Sequence, residues 1–347
     1  MKITKTQNSR LASTNFNKLE FGRTFSDHML MCKFQEGQWQ EAEILPYQRL
    51  SFAPGTHVFH YGQAVFEGMK AFKNEKGKTL LFRPEENMYR LNQSANRLCM
   101  PSIPSSIFMD GLKSLLKLDE QWIPEDYEKS LYIRPFMIAS SEFIRATPAD
   151  EFTFFIITSP SASYYFGEVH LKVEEKFVRS VEGGTGFAKA AGNYAAAFEP
   201  TKKAQQSGFT QLVWTDAFEH QYIEESGTMN IMFRINDNLI TPALSESILA
   251  GITRDSILTI AKEKGISVEE RKIAISEIME AHQKGILNEA FGVGTAVTVN
   301  PINSITYREE KIEIETIDNS YAYQLKTELQ RIQHGAYPDT HNWIVTV

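Results

Sequence analysis

The sequence predicts an α+β or mixed α/β protein of two domains. Its length of 347 residues exceeds the roughly 100–200 residues that are usual for one domain. Short apolar strands alternate with amphipathic helices without a long, regular βαβ series, so a doubly wound parallel sheet is not expected. A stretch rich in Ser, Tyr and Gly at 160–168 separates two halves. We therefore predict a smaller N-terminal α/β domain at 1–166, a connection at 167–180 and a larger C-terminal domain at 181–347.

The composition disfavours several classes of protein. Lys and Arg number 36 and Asp and Glu number 43, which gives a formal net charge of −7, whereas nucleic-acid and membrane-surface binders usually carry a basic excess. The longest apolar run, 152–157, is far shorter than the roughly 20 residues of a membrane span, and the polar N-terminus predicts no signal peptide. The two cysteines, Cys32 and Cys99, cannot form a disulfide scaffold, and the histidines lack metal-ligand spacing. These features predict a soluble, cytoplasmic protein without a metal site.

In the first half, a strand at Thr79–Phe82 leads into a helix. Pro84 suits the first helical position, and Pro101 follows the helix end. Apolar residues recur three and four positions apart, which is typical of a buried stripe: Met88, Leu91, Ala95 and Leu98. The opposite face carries an arginine every seven residues, which is typical of a solvated face: Arg83, Arg90 and Arg97.

Further elements follow from the same patterns. A second helix is predicted from Ser105 or Ser106, either of which could cap it, to Leu118. Strands are predicted at 131–138, 152–158, 169–173, 176–181, 210–214, 221–223 and 230–235. Two more helices are predicted at 253–264, which Gly265 ends, and at 275–284. A loop with glycines leads into a strand at 291–299.

Lys189 is the first candidate for chemistry. Its neighbours are small and uncharged (Gly186, Ala188, Ala190), so the lysine finds no carboxylate nearby in the sequence. A lysine that is buried in such a setting becomes a neutral amine and a nucleophile. Because lysines are mostly exposed, a solvated lysine beside a tight turn is the more frequent alternative.

Other windows could bind a ligand, and each has a structural alternative. At 224–230 two acids stand at a predicted strand end, where a carboxylate could keep a ring nitrogen protonated; a polar hairpin turn is the alternative. At 249–254 the start of a helix offers N–H groups and the positive end of its dipole to a phosphate, but Thr253 could equally cap its own helix. The glycine-rich 291–296 could add N–H donors, although it matches neither GxGxxG nor the P-loop.

Eight motifs occur in an order that is similar to one enzyme family. They are FGRTFSDHML at 21–30, FEGMKAF at 66–72, LFRP at 81–84, YIRP at 132–135, the lysine window at 182–194, ESGTMN at 225–230, GITR at 251–254 and FGVGTA at 291–296. Over nearly its whole length the chain resembles the branched-chain amino-acid aminotransferases, which use pyridoxal 5'-phosphate and have the D-amino-acid aminotransferase type of fold (fold type IV). The resemblance implies a C-terminal domain in the form of a pseudo-barrel.

The resemblance also implies a role for each matching residue. Lys189 would form the Schiff base and move the proton between the substrate α-carbon and C4′ of the cofactor. Glu225 would pair with the pyridine nitrogen and keep the ring an electron sink, and Tyr194 would bind the phenolic oxygen. The phosphate would be held by Arg90, Ile252, Thr253 and Thr295, which overrides the solvated-face interpretation of Arg90. Substrate carboxylates would meet Tyr61, Arg134, Thr228 and Ala296. The side-chain pocket would be walled by Phe66, Tyr132 and Tyr165.

The implied reaction transfers the amino group of L-leucine, L-isoleucine or L-valine to 2-oxoglutarate. An aromatic wall with hydroxyl groups and an arginine suits both an aliphatic side chain and a γ-carboxylate. Tyr132 would come from a partner subunit, which implies a homodimer. Three alternatives remain: a D-amino-acid aminotransferase, an aminodeoxychorismate lyase, or a non-catalytic cofactor-binding protein. Tyr61, Arg134 and the 294–296 loop favour the branched-chain enzyme, and Lys189 with Glu225 favours an enzyme of some kind.

Two positions depart from the family pattern. Animal members have a CxxC pair just after the Gly-Thr-Ala loop, where this chain has Val297 and Asn300, so no thiol switch is predicted there. Phe187 stands where many members have an acidic residue, two positions before the lysine. That change removes no catalytic group.

Overall fold

The computed structural model describes residues 1–162, 167–315, 317 and 319–347. Three β-sheets combine with helices, so the predicted α+β or mixed α/β class is confirmed. By its internal contacts the chain divides into two units. Unit 1 comprises Met1–Tyr164, Ala188–Gly192 and Arg331–Val347, and unit 2 comprises Tyr165–Phe187 and Asn193–Gln330.

A ten-stranded sheet forms the centre of unit 1. Its strands are β1 (Lys2–Ile3), β2 (His28–Gln35), β3 (Gln38–Trp39), β4 (Glu43–Pro46), β5 (Ala64–Phe66), β6 (Met69–Lys73), β7 (Thr79–Phe82), β8 (Ser130–Ala139), β9 (Phe152–Ser161) and the last strand of the chain, Ile344–Thr346. The path β1-β4-β2-β9-β8-β6-β7 ends on this last strand, while β3 pairs with β2 and β5 with β8. The longest pairing, β8 with β9, is antiparallel.

Helices α1 (Val58–Tyr61), α2 (Pro84–Arg97) and α3 (Ser105–Leu118) belong to unit 1. Apolar side chains of α2 and α3 share one core with the sheet: Leu91, Ala95, Phe108, Leu112, Leu115, Leu30 and Phe154. Pro84 begins α2 as predicted. The predicted serine cap of α3 is wrong, because Pro104 occupies the N-cap position and both serines lie inside the helix.

The side of α2 that was predicted to be solvated is partly buried. Arg97 is exposed and Arg83 is half-buried, but Arg90 is buried together with Asn87 and Ser94. These three residues are spaced by three and four positions, so they form a second, polar stripe along the helix. The solvated-face prediction is therefore wrong for Arg90, because the stripe packs against other parts of unit 1.

Unit 2 contains two five-stranded sheets and most of the remaining helices. In chain order the elements that lie wholly or mostly in unit 2 are β10 (His170–Val173), α4 (Ala191–Ala196), α5 (Phe198–Gln206), β11 (Gln211–Thr215), β12 (Ile223–Ser226), β13 (Asn230–Ile235), β14 (Asn238–Pro242), α6 (Ile252–Glu263), β15 (Ser267–Arg271), α7 (Ile275–Gln283), β16 (Leu287–Gly294), β17 (Thr298–Pro301), β18 (Ser304–Tyr307), β19 (Glu310–Glu313) and α8 (Tyr321–Gln333). The sheet orders are β12-β11-β10-β18-β19 and β15-β14-β13-β16-β17. The strand that ends the chain is β20 (Ile344–Thr346). Among the described helices, none has the length and apolar character that a membrane crossing requires.

Two predicted elements of unit 2 differ from the structure. The segment 176–181 is not a strand, because the carboxylate of Glu174 accepts the backbone N–H groups of Lys176 and Phe177 and holds the chain in a turn. The predicted loop at 291–294 is part of β16. Strand pairing keeps its glycines extended: Gly292 pairs with residues of both β13 and β17, and Gly294 pairs with a residue of β17.

The units also differ from the predicted domain limits. Ala188–Gly192 belongs to unit 1, since Ala190 forms an isolated bridge with Val65. Arg331–Val347 also belongs to unit 1, since β20 pairs with β7. The predicted connection at 167–180 contains β10, which lies inside a sheet of unit 2. Unit 1 therefore holds the longer part of the chain.

Candidate active site

The backbone of Lys189 is fixed on both sides within unit 1. Its N–H donates to Oγ of Ser94 at 2.9 Å, and its carbonyl accepts the N–H of Phe66 at 3.1 Å. Ser94 lies on α2 and Phe66 ends β5. The Lys189 side chain is half-buried, and its Nζ stands 5.0 Å from the ring centroid of Phe66. The structure thus holds the amine against an aromatic face, which differs from the fully solvated alternative.

Glu67 lies beside this lysine and is completely buried. Arg90 binds it in a bidentate manner, with Nε at 2.7 Å from Oε1 and Nη2 at 2.8 Å from Oε2. Asn87 donates a further hydrogen bond at 2.8 Å. Burial by itself raises the pKa of Glu67, but the charge and hydrogen bonds of Arg90, followed by Lys189 and Asn87, bring the pKa below its ordinary value. Glu67 is therefore a buried carboxylate that is kept ionised by its neighbours.

Three other predicted residues form an aromatic and cationic cluster in unit 1. The guanidinium of Arg134 lies 4.6 Å from the ring centroid of Phe66 and 5.3 Å from that of Tyr132. Its Nη2 donates to the hydroxyl of Tyr132 at 2.9 Å, whereas its Nε is buried without a hydrogen-bond partner among the described residues. Tyr132 is buried and contacts these residues of its own chain. The role of Tyr132 in the site of a partner subunit stays a prediction.

Tyr61 and Tyr165 are the two remaining predicted tyrosines of the first half. Tyr61 is exposed; its hydroxyl donates to the Ile144 carbonyl, and its ring centroid is 4.8 Å from that of His57. Tyr165 lies outside the described residues, so its proposed place in the pocket wall stays a prediction.

Glu225 is buried at the end of β12 in unit 2. Its Oε2 lies 2.6 Å from Nε of Arg179, and its Oε1 accepts a hydrogen bond from Asn230 at 2.9 Å. Arg179 also donates to the carbonyls of Ser247 at 2.8 Å and Gly186 at 3.2 Å. The predicted turn exists as well, since Ser226 and Met229 form an isolated bridge. The turn and the buried carboxylate are thus neighbouring features of one segment.

Glu224 precedes this carboxylate and has a different environment. Burial raises the pKa of Glu224 above its ordinary value, against the opposing effects of a hydrogen bond from Ser247 and the charge of Arg179. Its Oε2 is buried and has no hydrogen-bond partner within the described chain. Two adjacent acids therefore have distinct surroundings, and Glu225 is the one with a direct arginine partner.

The N-terminus of α6 lies close to Glu225 in the hydrogen-bond network. Gly251 is the N-cap, and a glycine has no side chain with which to cap the first turn. Thr253 is buried and lies inside the helix, so the alternative that it caps α6 is wrong. Backbone N–H groups and a threonine hydroxyl in a first helical turn are a suitable donor set for an anion.

The other predicted residues of unit 2 lie in turns or short helices. Thr228 is exposed in the turn after β12, while Thr295 and Ala296 are half-buried in the turn between β16 and β17. The Thr228 carbonyl is 3.9 Å from the position that a Cβ on Gly294 would take. Tyr194 is half-buried in α4.

Comparison with known proteins identifies the family. The amino-transferase class IV model matches residues 64–305. The chain is 46% identical over 336 residues to branched-chain-amino-acid aminotransferase 2 of Bacillus subtilis (strain 168), which covers 95% of this chain and 93% of that relative. The chain belongs to the class IV aminotransferase family.

Other relatives of this class IV aminotransferase agree with the assignment. Branched-chain-amino-acid transaminase 1 of the same Bacillus subtilis strain is 41% identical, with 95% of each chain covered. The structure of a branched-chain aminotransferase from Thermoproteus uzoniensis with norvaline has a TM-score of 0.77 and 23% identity, and covers 92% of this chain and 99% of that one. The branched-chain amino acid aminotransferase from Escherichia coli has a TM-score of 0.74 and 23% identity, with 92% and 98% covered. These structures share the fold.

Four polar residues of this class IV aminotransferase were given no role by sequence reasoning. They are Glu67, Ser94, Arg179 and Asn230. Glu67 and Asn230 stand in quoted motifs; Glu67 directly follows β5 and Asn230 begins β13, and a polar residue at the border of an apolar strand is a usable signal. Arg179 falls in a segment that was predicted to be a strand, and Ser94 in a helix face that was predicted to be solvated. Arg179 and Ser94 contact Glu225 and Lys189, which are distant from them in the sequence, so no local pattern indicates these two residues.

Proposed function

We propose that the protein is a branched-chain amino-acid transaminase. It converts L-leucine, L-isoleucine or L-valine and 2-oxoglutarate into the branched 2-oxo acid and L-glutamate. The observation that carries the proposal is the 46% identity, along 95% of the chain, to an aminotransferase named for branched-chain amino acids. The presence of both Lys189 and Glu225 supports a catalytic rather than a binding-only protein.

The residues present fit pyridoxal 5'-phosphate as the cofactor. The N-cap of α6 is a glycine, and its first turn carries the Thr253 hydroxyl, which suits a phosphate. The buried carboxylate of Glu225 suits a protonated ring nitrogen, and the amine of Lys189 suits an aldehyde. When bound, pyridoxal phosphate supplies the electron sink that lets an amino group pass between an amino acid and a 2-oxo acid.

The side chains toward this cofactor have separate tasks in the proposal. Lys189 holds the cofactor covalently at rest and moves the proton at the substrate α-carbon. Glu225 holds the proton of the ring nitrogen, and Tyr194 binds the phenolic oxygen. The phosphate is bound by Arg90, Ile252, Thr253 and Thr295. Arg90 keeps two of its nitrogens on Glu67, so that carboxylate orients the guanidinium.

The proposed substrate contacts combine burial with hydrogen-bond donors. Phe66 and Tyr165 offer apolar surface to an aliphatic side chain, and Tyr132 would complete this wall in the site of a partner subunit. Arg134, held over the rings of Phe66 and Tyr132, is half-buried, so its guanidinium can donate to a carboxylate. Further carboxylate contacts are proposed for Tyr61, Thr228 and Ala296.

We extend the proposal to a cytoplasmic homodimer whose partners are small amino acids and 2-oxo acids. This part rests on the resemblance to the family. Sedimentation velocity is expected to give about twice the mass of one chain. A single species with the mass of the monomer, in enzyme that is fully active, would contradict it.

The proposed reaction is tested by a substrate comparison. With pyridoxal phosphate and 2-oxoglutarate, L-leucine is expected to yield glutamate at least about 100-fold faster than D-alanine does. Aminodeoxychorismate is expected to give no pyruvate. A higher rate with D-alanine, or lyase activity, would replace the branched-chain assignment with another member of the fold.

Lys189→Ala provides the matched residue test. It is expected to lower kcat with leucine by about 10⁴-fold or more, because both covalent attachment and proton transfer are lost. Lys203→Ala is the control, since Lys203 is exposed and pairs with Glu199 at the surface. Wild-type turnover by Lys189→Ala would refute the assignment.

A further inference from the structure

Asn230 joins two parts of unit 2 that are proposed to contact opposite ends of the cofactor. Its Nδ2 donates to Oε1 of Glu225 at 2.9 Å and to the carbonyl of Leu249 at 3.0 Å. Both hydrogens of the amide are therefore used, on a side chain that is almost fully buried. Glu225 is the proposed partner of the ring nitrogen, and Leu249 leads into the N-terminus of α6, the proposed phosphate site.

Gly251, the N-cap of α6, packs closely against the side chain of Asn230. Its φ of −71° is an ordinary conformation that any residue adopts, so the backbone does not require glycine here. Space does, because a Cβ at this position would lie 2.0 Å from Oδ1 of Asn230. The amide oxygen thus occupies the volume of a missing side chain and packs directly against the residue that precedes α6.

The backbone of Asn230 is itself anchored. It is the first residue of β13 and pairs with Val293 of β16. Thr295 follows β16 and is another proposed phosphate ligand. A strand pairing, two amide hydrogen bonds and a close contact with glycine therefore fix this one side chain from several directions.

We infer that Asn230 is a positioning residue that sets the separation between the Glu225 carboxylate and the N-terminus of α6. The inference rests on the proposed function and deepens it. A ligand that reaches both anchors benefits when their spacing is fixed in advance, whereas a ligand that reaches one anchor gains nothing from the spacing. Asn230 therefore contributes to the affinity for a phosphorylated cofactor without contacting it.

The test compares a ligand that reaches both anchors with one that reaches a single anchor. Pyridoxamine 5'-phosphate and pyridoxamine are titrated calorimetrically into the full-length apoprotein; neither can attach covalently to Lys189. The quantity compared is the Kd of pyridoxamine divided by the Kd of pyridoxamine 5'-phosphate. In Asn230→Ala this ratio is expected to fall by about tenfold, because the fixed spacing supports only the phosphorylated ligand. Asn92→Ala is the matched control, since Asn92 makes two comparable hydrogen bonds to Ile103 in unit 1 and its loss should leave the ratio unchanged.

A second variant covers the case in which Asn230→Ala does not fold. Gly251→Ala places a methyl group against Oδ1 of Asn230 and is expected to weaken pyridoxamine phosphate binding by about tenfold. If Asn230→Ala folds, adding Gly251→Ala to it should cost less than about twofold, because the atom that clashes is gone. Additive losses, or an unchanged ratio in Asn230→Ala, would overturn the inference.

The outcomes separate this inference from the proposed function. Wild-type protein that binds pyridoxamine phosphate and turns over leucine, with an unchanged ratio in Asn230→Ala, overturns the inference alone. A ratio that falls in Asn230→Ala, together with wild-type protein that does not turn over leucine, overturns the branched-chain assignment alone. Absence of pyridoxamine phosphate binding in the wild type would overturn both.

Discussion

At the scale of residues, two buried carboxylates, Glu67 and Glu225, each have an arginine partner. Removal of one member of such a pair leaves an uncompensated charge, which costs far more than an exposed ion pair contributes. Glu225 could be predicted, because its motif resembles a known family. Its partner Arg179 could not, because 46 positions separate the two residues in the sequence. Glu67 and Arg90 both lie in or near recognisable motifs, but their mutual contact depends on how α2 packs.

Replacement of Glu67 by Gln is predicted to destabilise the protein by about 3–5 kcal/mol at neutral pH, since Arg90 loses its buried counter-charge. Because the folded-state pKa of Glu67 lies below its ordinary value of 4.5, the ionic stabilisation is complete at neutral pH and is lost as the pH falls through the folded-state pKa. The deficit of the variant should therefore shrink in strong acid. Urea denaturation across pH measures this, with Glu199→Gln, an exposed change, as the control. A deficit that grows in acid would contradict the account.

At the scale of elements, patterns in the sequence predicted β7 and β13 with their observed ends and several helices to within a residue or two. The two strands are short runs that are buried almost throughout, and the helices carry one clear apolar stripe, so the local pattern and the tertiary fold agree. The pattern failed at 176–181, where the Glu174 carboxylate accepts the N–H groups of Lys176 and Phe177 and strand pairing is absent from the described chain. It also missed the polar stripe of α2, because periodicity shows which face is apolar but cannot show that a polar face is buried as well.

Ser94 connects α2 to Lys189. Its hydroxyl donates to the Arg90 carbonyl and accepts the Lys189 N–H, both at 2.9 Å. Ser94→Ala is predicted to cost about 1–3 kcal/mol in the free energy of unfolding, because the Lys189 amide loses its acceptor. The variant should also shift the pH at which the visible absorbance of the bound cofactor changes, since Lys189 is less well positioned.

The control for this change is Ser207→Ala. Ser207 makes the same kind of hydrogen bond to a carbonyl four residues earlier, that of Lys203, on an exposed helix end. Spectrophotometric pH titration of both variants distinguishes positioning from general destabilisation. Identical titrations for wild type and Ser94→Ala would show that Ser94 does not position the lysine.

At the scale of the whole molecule, the chain returns to its first unit at its end. Trp343 is buried; its carbonyl accepts the Arg83 N–H at 2.7 Å, and the Arg83 guanidinium lies 5.0 Å from the indole ring centroid. Asp339 accepts the N–H groups of Trp343 and Ile344. The predicted division into two consecutive domains missed this return of the C-terminal segment to unit 1. Sequence composition does not show against which part of the chain a distant segment packs.

Trp343→Ala is therefore predicted to destabilise unit 1 by about 3–5 kcal/mol, through lost burial and the loss of contact with Arg83. Hydrogen exchange should show reduced protection in β7 and β20, with little change in the sheets of unit 2. Tyr337→Ala, at an exposed position of the same segment, serves as the control. Equal loss of protection throughout both units would contradict local docking.

In the proposed reaction, Lys189 carries the cofactor of a branched-chain transaminase. The most direct measurement treats the holoenzyme with sodium borohydride and maps the phosphopyridoxyl group by peptide mass spectrometry, with and without prior incubation with L-leucine. The group is expected on Lys189. It is expected to be lost after leucine, which transfers its amino group to the cofactor, and to return when 2-oxoglutarate is added. A group on another lysine, or one on Lys189 that leucine does not remove, would rule out this role of Lys189.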